Sequence, residues 1–449
     1  MDTKQLRQKI LDLAIRGKLV PQDPNDEPAS VLLERVKAEK ERLIEEGKIK
    51  RSKKSAASSD KPHYPFEIPN NWVWTTLREI SNYGTCINVA VEDIPAESWV
   101  LELEDLEKDT ARLIQRLKKG ERDIKGVRHR FEKGNILYSK LRTYLNKVLV
   151  ADNPGFCTTE IIPFSLFSGI SEFYINLVLR SKYFVDYTIQ CGFGVKMPRL
   201  STSDANSGQI PLPPLNEQKR IVDKVELLLS IADSIEQEKF DLLKSASKLM
   251  NHILELAISG KLVPQDPNDE PAIELLKRVN PNAVVSTDTS HYQHLPQGWC
   301  VCKLEDIVDY EQPQRYIVES TEYSEAYKTP VLTAGKSFVI GHTNETAGVF
   351  DKVPVIIFDD FTTDSKYVDF HFKVKSSAMK ILHVKHGVNI KYIYYFMSIT
   401  RLVGKTHKRY WISEYSKLDI PLPPYNEQCR IVDAIERINN RIDDIAEAL

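Results

Sequence analysis

Two blocks of this sequence occur twice, in an order that constrains the fold. Residues 10–36 match residues 253–279 at an offset of 243, and residues 210–226 match residues 420–436 at an offset of 210. Internal repeats are considered first because they determine the architecture of a chain. The N-terminal copy matches the second half of the central region, and the C-terminal copy matches the first half. The repeat is therefore circularly permuted.

The central stretch, residues 217–260, has the periodicity of one long packed helix. Its apolar positions alternate steps of four and three, and Lys239 is the exception among eleven positions. Asn216 is a candidate N-cap and Gly260 a candidate C′ residue, and such a helix would be about 60 Å long. The seam consists of Ile221, Val225, Leu228, Ala232, Ile235, Lys239, Leu242, Ala246, Leu249, Ile253 and Leu256.

The two ends of the chain carry the same heptad and together predict a second helix of this kind. Residues 431–449 repeat residues 221–239, and residues 6–13 repeat residues 249–256. If the two ends of the chain were joined, only the four positions equivalent to residues 240–243 would be missing, which corresponds to about 6 Å of helix. We expect two long antiparallel helices related by a pseudo-two-fold, with adjacent termini. An intermolecular coiled coil is the alternative.

Length and composition restrict the class of protein. The chain has 449 residues, which suffices for two or three domains, and its net charge of −2 excludes a generally basic nucleic-acid binder. Its six cysteines have neither disulfide nor zinc spacing. The sequence contains no signal peptide and no apolar run of membrane-spanning length. We expect a cytoplasmic protein with free thiols and no membrane partner.

The sequence predicts a mixed fold, α/β or α+β, with two globular domains joined by the repeated helices. The domains open alike, at residues 68–80 and 295–307, and both close at IPLPP, but their interiors differ. The first copy carries sixteen extra residues between the repeated block at 10–36 and the start of its domain, because the offset between the copies falls from 243 to 227 across that segment. The expected parts are a half-rod, elbow and linker at 1–64, a globular domain at 65–209, a central region with the long helix at 210–285, a second globular domain at 286–419 and a half-rod at 420–449.

Short apolar runs between turn residues predict the strands of the two domains. The predicted strands are 135–141, 147–152, 160–167, 330–334, 353–358 and 380–384, and the predicted helices are 171–190 and 389–403.

No catalytic motif in the chain is complete. NPGF at 153–156 lacks the second proline of the amino-methyltransferase motif, and the GKS at 335–337 lacks the upstream glycine of a phosphate loop. The glycines in 192–194 lack the third glycine of a dinucleotide site. Asp359 and Asp360 could pair on a metal, but no ExK partner follows nearby. We expect no catalytic residue, metal site or cofactor in this chain.

Local charge points to nucleic acid. Residues 118–147 contain ten cations and three acids, and residues 401–411 contain four cations and no acid. Cations bind phosphates, whereas Arg and short polar side chains read base edges. The expected nucleic-acid contacts in the first domain are Lys140, Arg142, Tyr144, Lys147, Lys196 and Arg199. Those in the second domain are Lys336, Thr362, Thr363, Lys366, Lys405, Lys408 and Arg409.

Several segments resemble those of one family. PLPPLNEQKRIV and PLPPYNEQCRIV resemble a signature of the specificity subunit of type I restriction–modification systems. LELAISGKLVPQDPNDEPA resembles the central region of that family, and GNILYSKLRTYLNKVLV and FDDFTTDSKYVDF resemble segments of its target-recognition domains. The resemblance covers essentially the whole chain.

The resemblance implies a non-catalytic subunit that reads a bipartite, asymmetric target in double-stranded DNA, one half per domain. It also implies two modification subunits, which bind S-adenosylmethionine and methylate adenine, and two ATP-driven restriction subunits. S-adenosylmethionine, ATP and Mg would then be held by those partners. The alternatives are a coiled-coil scaffold that joins proteins without reading DNA, and a self-contained nuclease or methyltransferase.

Overall fold

The chain divides into two compact units, residues 1–238 (unit 1) and residues 239–449 (unit 2). The computed structural model describes residues 2–49, 64–167, 169–194, 196–286, 292, 294–333, 337–402 and 409–448. Both units combine helices and strands, so the expected mixed α/β fold is confirmed.

Unit 1 contains the first half of the longest helix, α7. This helix extends over Leu215–Ile258 and includes the boundary between the units. The preceding helices are α1 Thr3–Ile15, α2 Ala29–Glu45, α3 Leu77–Ile80, α4 Glu172–Arg180, α5 Lys182–Cys191 and α6 Thr202–Ser207. The strands are β1 Val73–Thr76, β2 Ile87–Val89, β3 Trp99–Leu101, β4 Leu117–Lys118, β5 Arg128–Phe131, β6 Ile136–Ser139, β7 Val148–Val150, β8 Gly155–Thr158, β9 Ile161–Phe164 and β10 Gln209–Leu212.

Unit 2 contains the second half of α7 and ends in another long helix. Its further helices are α8 Ala272–Val279, α9 Leu304–Ile307, α10 Ile390–Ile399, α11 Tyr410–Ser413 and α12 Tyr425–Ala448. Its strands are β11 Cys300–Lys303, β12 Val308–Glu311, β13 Thr329–Leu332, β14 Val339–Thr343, β15 Val355–Asp359, β16 Ser365–Val368, β17 Lys373–Val374, β18 Met379–Val384 and β19 Asp419–Leu422. Each strand and helix predicted for the two domain interiors overlaps an observed element.

Two of the sheets have the same strand arrangement in both units, and a third sheet differs between the units. Antiparallel β1 and β10 join the start and end of the first domain, as β11 and β19 do in the second. The antiparallel order β7-β6-β9 corresponds to β16-β15-β18, to which β12 adds an edge strand. Unit 1 also has the mixed sheet β2-β5-β8-β3-β4, whereas unit 2 has β14-β13-β17. The scaffold is thus repeated while the inserted sheets are not.

Within each unit a shorter helix packs antiparallel against one half of α7. In unit 1, Arg7 of α1 bonds Asp233 at 2.5 Å, whereas Gln22, in the elbow after α1, bonds Glu217 in the first turn of α7 at 2.6 Å. In unit 2, the elbow after α7 bonds the first turn of α12, and the two helices share one apolar core. The antiparallel pairing is observed within each unit, and adjacency of the termini stays a prediction.

The heptad seam of α7 is buried near both ends of the helix and exposed between them. Ile221 and Val225 are fully buried, but Leu242 and Leu249 are 44% and 50% exposed. The expectation of one continuous buried seam is therefore wrong. Near the end of the helix the seam residue Ile253 is buried, but the next buried turn is occupied by Ala257, one position beyond the seam residue Leu256. An α-helix with 3.6 residues per turn drifts by about 20° per heptad, which explains the direction of this shift.

Glycine ends both repeated helices, as the sequence predicts. Gly260 has a φ of +70°, and the following Lys261 N–H donates to the Leu256 carbonyl at 2.9 Å, the Schellman arrangement. A Cβ at Gly260 would lie 2.3 Å from Cγ of Pro296. Gly17 ends α1 in the same way, with a φ of +66°. Both the backbone conformation and the packing therefore require glycine here.

Asn216 does not cap α7, contrary to expectation. The helix begins one residue earlier, at Leu215, and the Asn216 side chain hydrogen-bonds Asp26 of the elbow. Asn426 makes the equivalent bond to Asp269 at 3.0 Å in unit 2. The elbow carboxylate, brought close only by the tertiary fold, is thus the partner of the amide in both units.

A buried glutamate joins the elbow and the globular domain to the helices in unit 1. Glu217 is fully buried and accepts hydrogen bonds from Nε2 of Gln22 at 2.6 Å and Nε1 of Trp72 at 3.0 Å. Burial raises the pKa of this carboxyl, and the two hydrogen bonds act in the opposite direction. We call these three residues the clasp of unit 1.

Unit 2 contains an equivalent clasp. Glu427 accepts hydrogen bonds from Gln265 Nε2 at 3.1 Å and from Trp299 Nε1 at 3.0 Å. Burial likewise raises the pKa of the Glu427 carboxyl. The neighbouring Gln428 accepts a bond from the Asn389 N–H at 2.8 Å, immediately before α10. The Glu-Gln pair of the PLPP repeat therefore ties helix, elbow and domain together.

The elbow aspartates predict a loss of stability in acid. Hydrogen bonds from Arg220 and Arg430 lower the pKa of Asp26 and Asp269, respectively. A lowered carboxyl pKa contributes stability above the unfolded pKa of about 4, and this contribution is lost as pH falls through the folded pKa. We expect Asp26→Asn with Asp269→Asn to lower the melting temperature at pH 6, by an amount that shrinks below pH 4.

Thermal melts between pH 3 and pH 7 measure that difference. Asp186→Asn, at an exposed carboxylate, is the control and should give a small difference at every pH. A gap between wild type and the elbow variant that widened in acid would contradict the prediction.

Candidate nucleic-acid interface

In unit 1 the structure brings two predicted segments together. The turn between β6 and β7 is bonded to the loop after α5, although about 50 residues separate them. The Arg142 N–H donates to the Pro198 carbonyl at 2.8 Å, and the Leu200 N–H donates to the Lys140 carbonyl at 2.9 Å. The 3-10 turn Thr143–Leu145 also contacts α5. The two segments form one surface, which we call the unit 1 rim.

The predicted residues of the β6–β7 turn differ in exposure. Tyr144 is 43% exposed, and Lys140 and Arg142 are half-buried. Arg142 has a φ of +50°, and its Nε atom is buried without a partner among the described residues. The Lys147 ammonium donates to the Leu103 carbonyl at 2.7 Å, and burial lowers its pKa. Lys147 could reach a phosphate only by giving up that bond.

The loop after α5 supplies the other two predicted cations of the rim. Lys196 is exposed, whereas Arg199 binds the Glu160 carboxylate at 2.9 Å. The hydrogen bond from Arg199 to Glu160 raises the pKa of the guanidinium. Arg199 is thus held in a fixed orientation, and Lys196 is presented to solvent.

Two arginines of the basic run at 118–147 form buried ion pairs within unit 1. Arg122 forms two bonds with Asp105, at 2.6 and 2.9 Å, and both side chains are buried. Arg128 binds Glu102 at 2.8 Å and is also buried. These arginines stabilise the mixed sheet of unit 1 from within. The run is therefore not one exposed basic face, which its linear charge had suggested.

In unit 2 the equivalent turn, between β15 and β16, meets the segment around α11. Leu402 N–H donates to the Thr363 hydroxyl at 3.2 Å. At the other end of that segment, Tyr410 N–H donates to the Asp360 carbonyl at 3.0 Å and Trp411 N–H to the Asp360 carboxylate at 2.8 Å. One turn therefore contacts both Leu402 and the first residues of α11, and we call the surface formed by these described residues the unit 2 rim.

The predicted residues of the unit 2 rim occupy different positions. Thr362, Lys366 and Arg409 are exposed. Thr363 is fully buried with a φ of +58°, so it supports the turn and does not face solvent, contrary to expectation. The remaining predicted contacts, Lys336, Lys405 and Lys408, lie outside the described residues.

Asp359 and Asp360 both have partners within the protein. The Asp359 carboxylate accepts bonds from Phe361 N–H at 2.9 Å and Thr362 Oγ1 at 2.6 Å, which shapes the turn. Asp360 lies 3.3 Å from the ammonium of Lys380, and both are almost fully buried. Among the described residues no group of three or more His, Cys, Asp or Glu is arranged to hold a metal.

Two exposed apolar residues of the unit 1 rim, Phe193 and Met197, are not among the predicted contacts. Phe193 is 59% exposed and Met197 is 45% exposed. A signal for them exists in the sequence, where an aromatic residue stands between the glycines of 192–194, shortly before Lys196. Sequence periodicity does not detect them because the loop has no regular secondary structure.

Comparisons with known proteins place the chain in a family. A family model described as the type I restriction modification DNA specificity domain matches residues 69–245 and 296–449. The Escherichia coli type I restriction enzyme EcoAI specificity subunit is 33% identical over 372 residues, which cover 68% of this chain and 62% of that subunit. The Escherichia coli EcoEI specificity subunit is 33% identical over 370 residues, with the same coverage. The matched region thus spans less than two thirds of these relatives.

A solved structure supports the fold. A chain from a study of complex assembly and conformational transition in the type I restriction–modification system superposes with a TM-score of 0.64. The match covers 86% of this chain and 94% of that chain, at 16% sequence identity. None of the described helices is long and apolar enough to cross a membrane. Because the family model matches most of the sequence in two separate regions, this chain belongs to the type I restriction modification DNA specificity domain family.

Proposed function

We propose that this chain is the DNA-reading specificity subunit of a type I restriction–modification complex. One observation carries the proposal: in each unit a strand–strand turn and a second segment distant in sequence form one rim, and exposed cations lie on both rims. The rims have unrelated sequences on a repeated scaffold. Two domains with different recognition surfaces on a similar scaffold suit a bipartite, asymmetric target in double-stranded DNA.

The side chains of the rims have the chemistry that such a role needs. Lys140, Arg142 and Lys196 would bind phosphates in one half-site, and Lys366 and Arg409 in the other. Arg199 and Thr362 are suited to base edges or sugars because bonds to Glu160 and Asp359 hold them in place, and Tyr144 is suited to them because its exposed side chain carries a hydroxyl. Lys147, Lys336, Lys405 and Lys408 remain proposed contacts.

The proposed complex divides the chemistry among subunits. This chain would supply specificity and assembly without catalysis. Two modification subunits would bind S-adenosylmethionine and methylate adenine, and two restriction subunits would use ATP and Mg. The names of the curated relatives, specificity subunits of type I restriction enzymes, support this division. A complex that reads cellular DNA would work in the cytoplasm.

Combined Lys140→Ala and Arg142→Ala substitutions should weaken DNA binding and make it less sensitive to salt. Removal of one phosphate-binding cation should reduce the slope of log K against log salt by about 0.9. Titrations of the assembled complex at several salt concentrations measure that slope. Lys182→Ala, which removes an exposed cation of α5 paired with Asp186, is the matched control. An unchanged slope in the double variant would remove these residues from the interface.

Exchange of residues 68–209 for the corresponding domain of another family member should change one half of the recognised sequence and leave the other half intact. The two-stranded sheet of β1 and β10 closes this domain at its base, so the exchange preserves the join to the helices. Sequencing of methylated sites reports both halves. Loss of both halves would show that the domains do not read independently.

Mapping methylated adenines in host DNA with and without this gene decides the function. A bipartite motif that disappears with the gene is expected. A scaffold without DNA readout would leave the motif unchanged, although it would still capture protein partners. The family match gives no support to that scaffold alternative.

A further inference from the structure

The unit 1 rim exposes apolar side chains as well as cations. Phe193 and Met197 lie on the loop after α5, and the neighbouring turn presents Tyr144. Apolar residues grouped on a surface frequently mark a binding site, whereas single ones need no explanation. These three side chains share a rim with the predicted phosphate contacts, which calls for an explanation in terms of the ligand.

The loop that carries Phe193 is held at its base. Phe193 and Arg199 exchange two backbone hydrogen bonds, at 3.1 and 2.9 Å, so they face each other as a strand pair. Gly194, with a φ of +98°, allows the chain to turn directly after the phenylalanine. The bond from Arg142 N–H to the Pro198 carbonyl adds a second attachment. Phe193 is therefore an exposed ring on a braced backbone.

The charges around the ring indicate which ligand would cover it. Lys196 is three residues away and exposed, and Lys140 and Arg142 lie on the adjoining turn. A surface that combines cations with an exposed aromatic ring fits a polyanion with apolar faces inside it. Duplex DNA has this composition, with phosphates outside and stacked bases within.

We propose that Phe193, supported by Met197, is an apolar wedge that contacts the faces of bases at a step within the half-site read by unit 1. This inference rests on the proposed function and deepens it. Contact with a base face requires that a step be partly unstacked, and pyrimidine–purine steps unstack at the lowest cost. Specificity at that step would then depend on deformability and not on hydrogen bonds alone.

Duplexes that carry 2-aminopurine at successive positions of the mapped target test the wedge, because the fluorescence of this base rises when it is unstacked. The chain is assembled with its modification subunits. With the wild type, fluorescence should rise at one step of the unit 1 half-site away from the methylated adenine, because a methyltransferase unstacks its own target base. Phe193→Ala should abolish that rise and weaken binding by roughly ten- to a hundred-fold, the range for removal of an aromatic ring that stacks on a base.

Three controls separate the wedge from other roles of the residue. Phe193→Leu keeps an apolar side chain and should retain much of the fluorescence change. Phe173→Ala removes another exposed phenylalanine of unit 1, 46% exposed at the start of α4, and should change nothing. The salt slope should stay at its wild-type value in Phe193→Ala, because every phosphate-binding cation is still present.

The outcomes distinguish the wedge from the proposed function. A wild-type complex that binds the target without a fluorescence rise at a step away from the methylated adenine overturns the wedge and leaves DNA reading intact. The same holds if Phe193→Ala binds as wild type. Replacement of thymine by uracil removes the methyl group of the base. If this replacement weakens binding of the wild type as much as Phe193→Ala does, Phe193 contacts that methyl group in the groove, and the wedge is wrong. A wild-type complex that protects no DNA overturns both proposals.

Discussion

Replacement of Asp360 by alanine should destabilise unit 2 by about 3–5 kcal/mol, the cost of leaving one partner of a buried ion pair alone. The Lys380 side chain is 1% exposed, and its ammonium lies 3.3 Å from the Asp360 carboxylate. The same carboxylate accepts the Trp411 N–H. Removal of the carboxylate would thus leave a cation and an amide buried without their partner. Chemical denaturation that follows the tryptophan fluorescence measures the loss of stability.

Asp364→Ala is the matched control for that substitution. Asp364 lies on the same turn and pairs with Arg401 at 2.6 Å, but both side chains are exposed. Exposed pairs contribute about 0–1 kcal/mol, so this variant should be nearly as stable as the wild type. Asp360→Leu combined with Lys380→Met should recover much of the stability, because neither buried charge remains. Equal effects of Asp360→Ala and Asp364→Ala would contradict the importance of burial.

The second large effect is expected at the clasps. Glu427→Ala would leave the Trp299 indole N–H without its acceptor, whereas the Gln265 amide keeps its bonds to the Gly260 and Val263 carbonyls. An unsatisfied buried donor costs about 1–3 kcal/mol, so a destabilisation of about 1–3 kcal/mol is expected. Glu217→Ala should act similarly in unit 1, because its two hydrogen bonds are equivalent. Hydrogen exchange should show opening of the β11–β19 pair in the first variant and of β1–β10 in the second.

Glu436→Ala controls for the removal of a helix carboxylate. Glu436 also lies on α12, where it binds Lys391 of α10, but it is more than a third exposed. We expect a destabilisation below about 1 kcal/mol for this pair. If both glutamate variants were equally stable, the clasp would contribute little to the attachment of the domain.

The helices and the domain scaffold could be predicted because their signals are local and repeated. Steps of three and four residues reveal a packed helix, and Gly260 marks its end through a backbone conformation that glycine alone adopts readily. The permuted order of the repeats predicted that each half of α7 would have a partner. The strands of the domain interiors followed from short apolar runs.

The predictions from sequence were wrong where a side chain has a partner that only the tertiary fold brings close. Asn216 has the chemistry of an N-cap, but the elbow carboxylate of Asp26 takes its side chain. Arg122 and Arg128 add to a linear charge run, yet each is buried against an acid that lies far away in the sequence. Thr363 has a polar side chain suited to DNA, but it is packed inside the turn. Composition does not distinguish a paired charge from an exposed one.

The sequence by itself determined the two-unit plan, the long helix and the family, because these depend on periodicity and on residues adjacent in the chain. The rims were decided only by the tertiary structure. Each rim joins a turn to a loop more than 30 residues away through backbone hydrogen bonds, and such bonds leave no mark on residue type. The exposure of Phe193 is decided in the same way, because burial depends on which distant segments pack around a side chain.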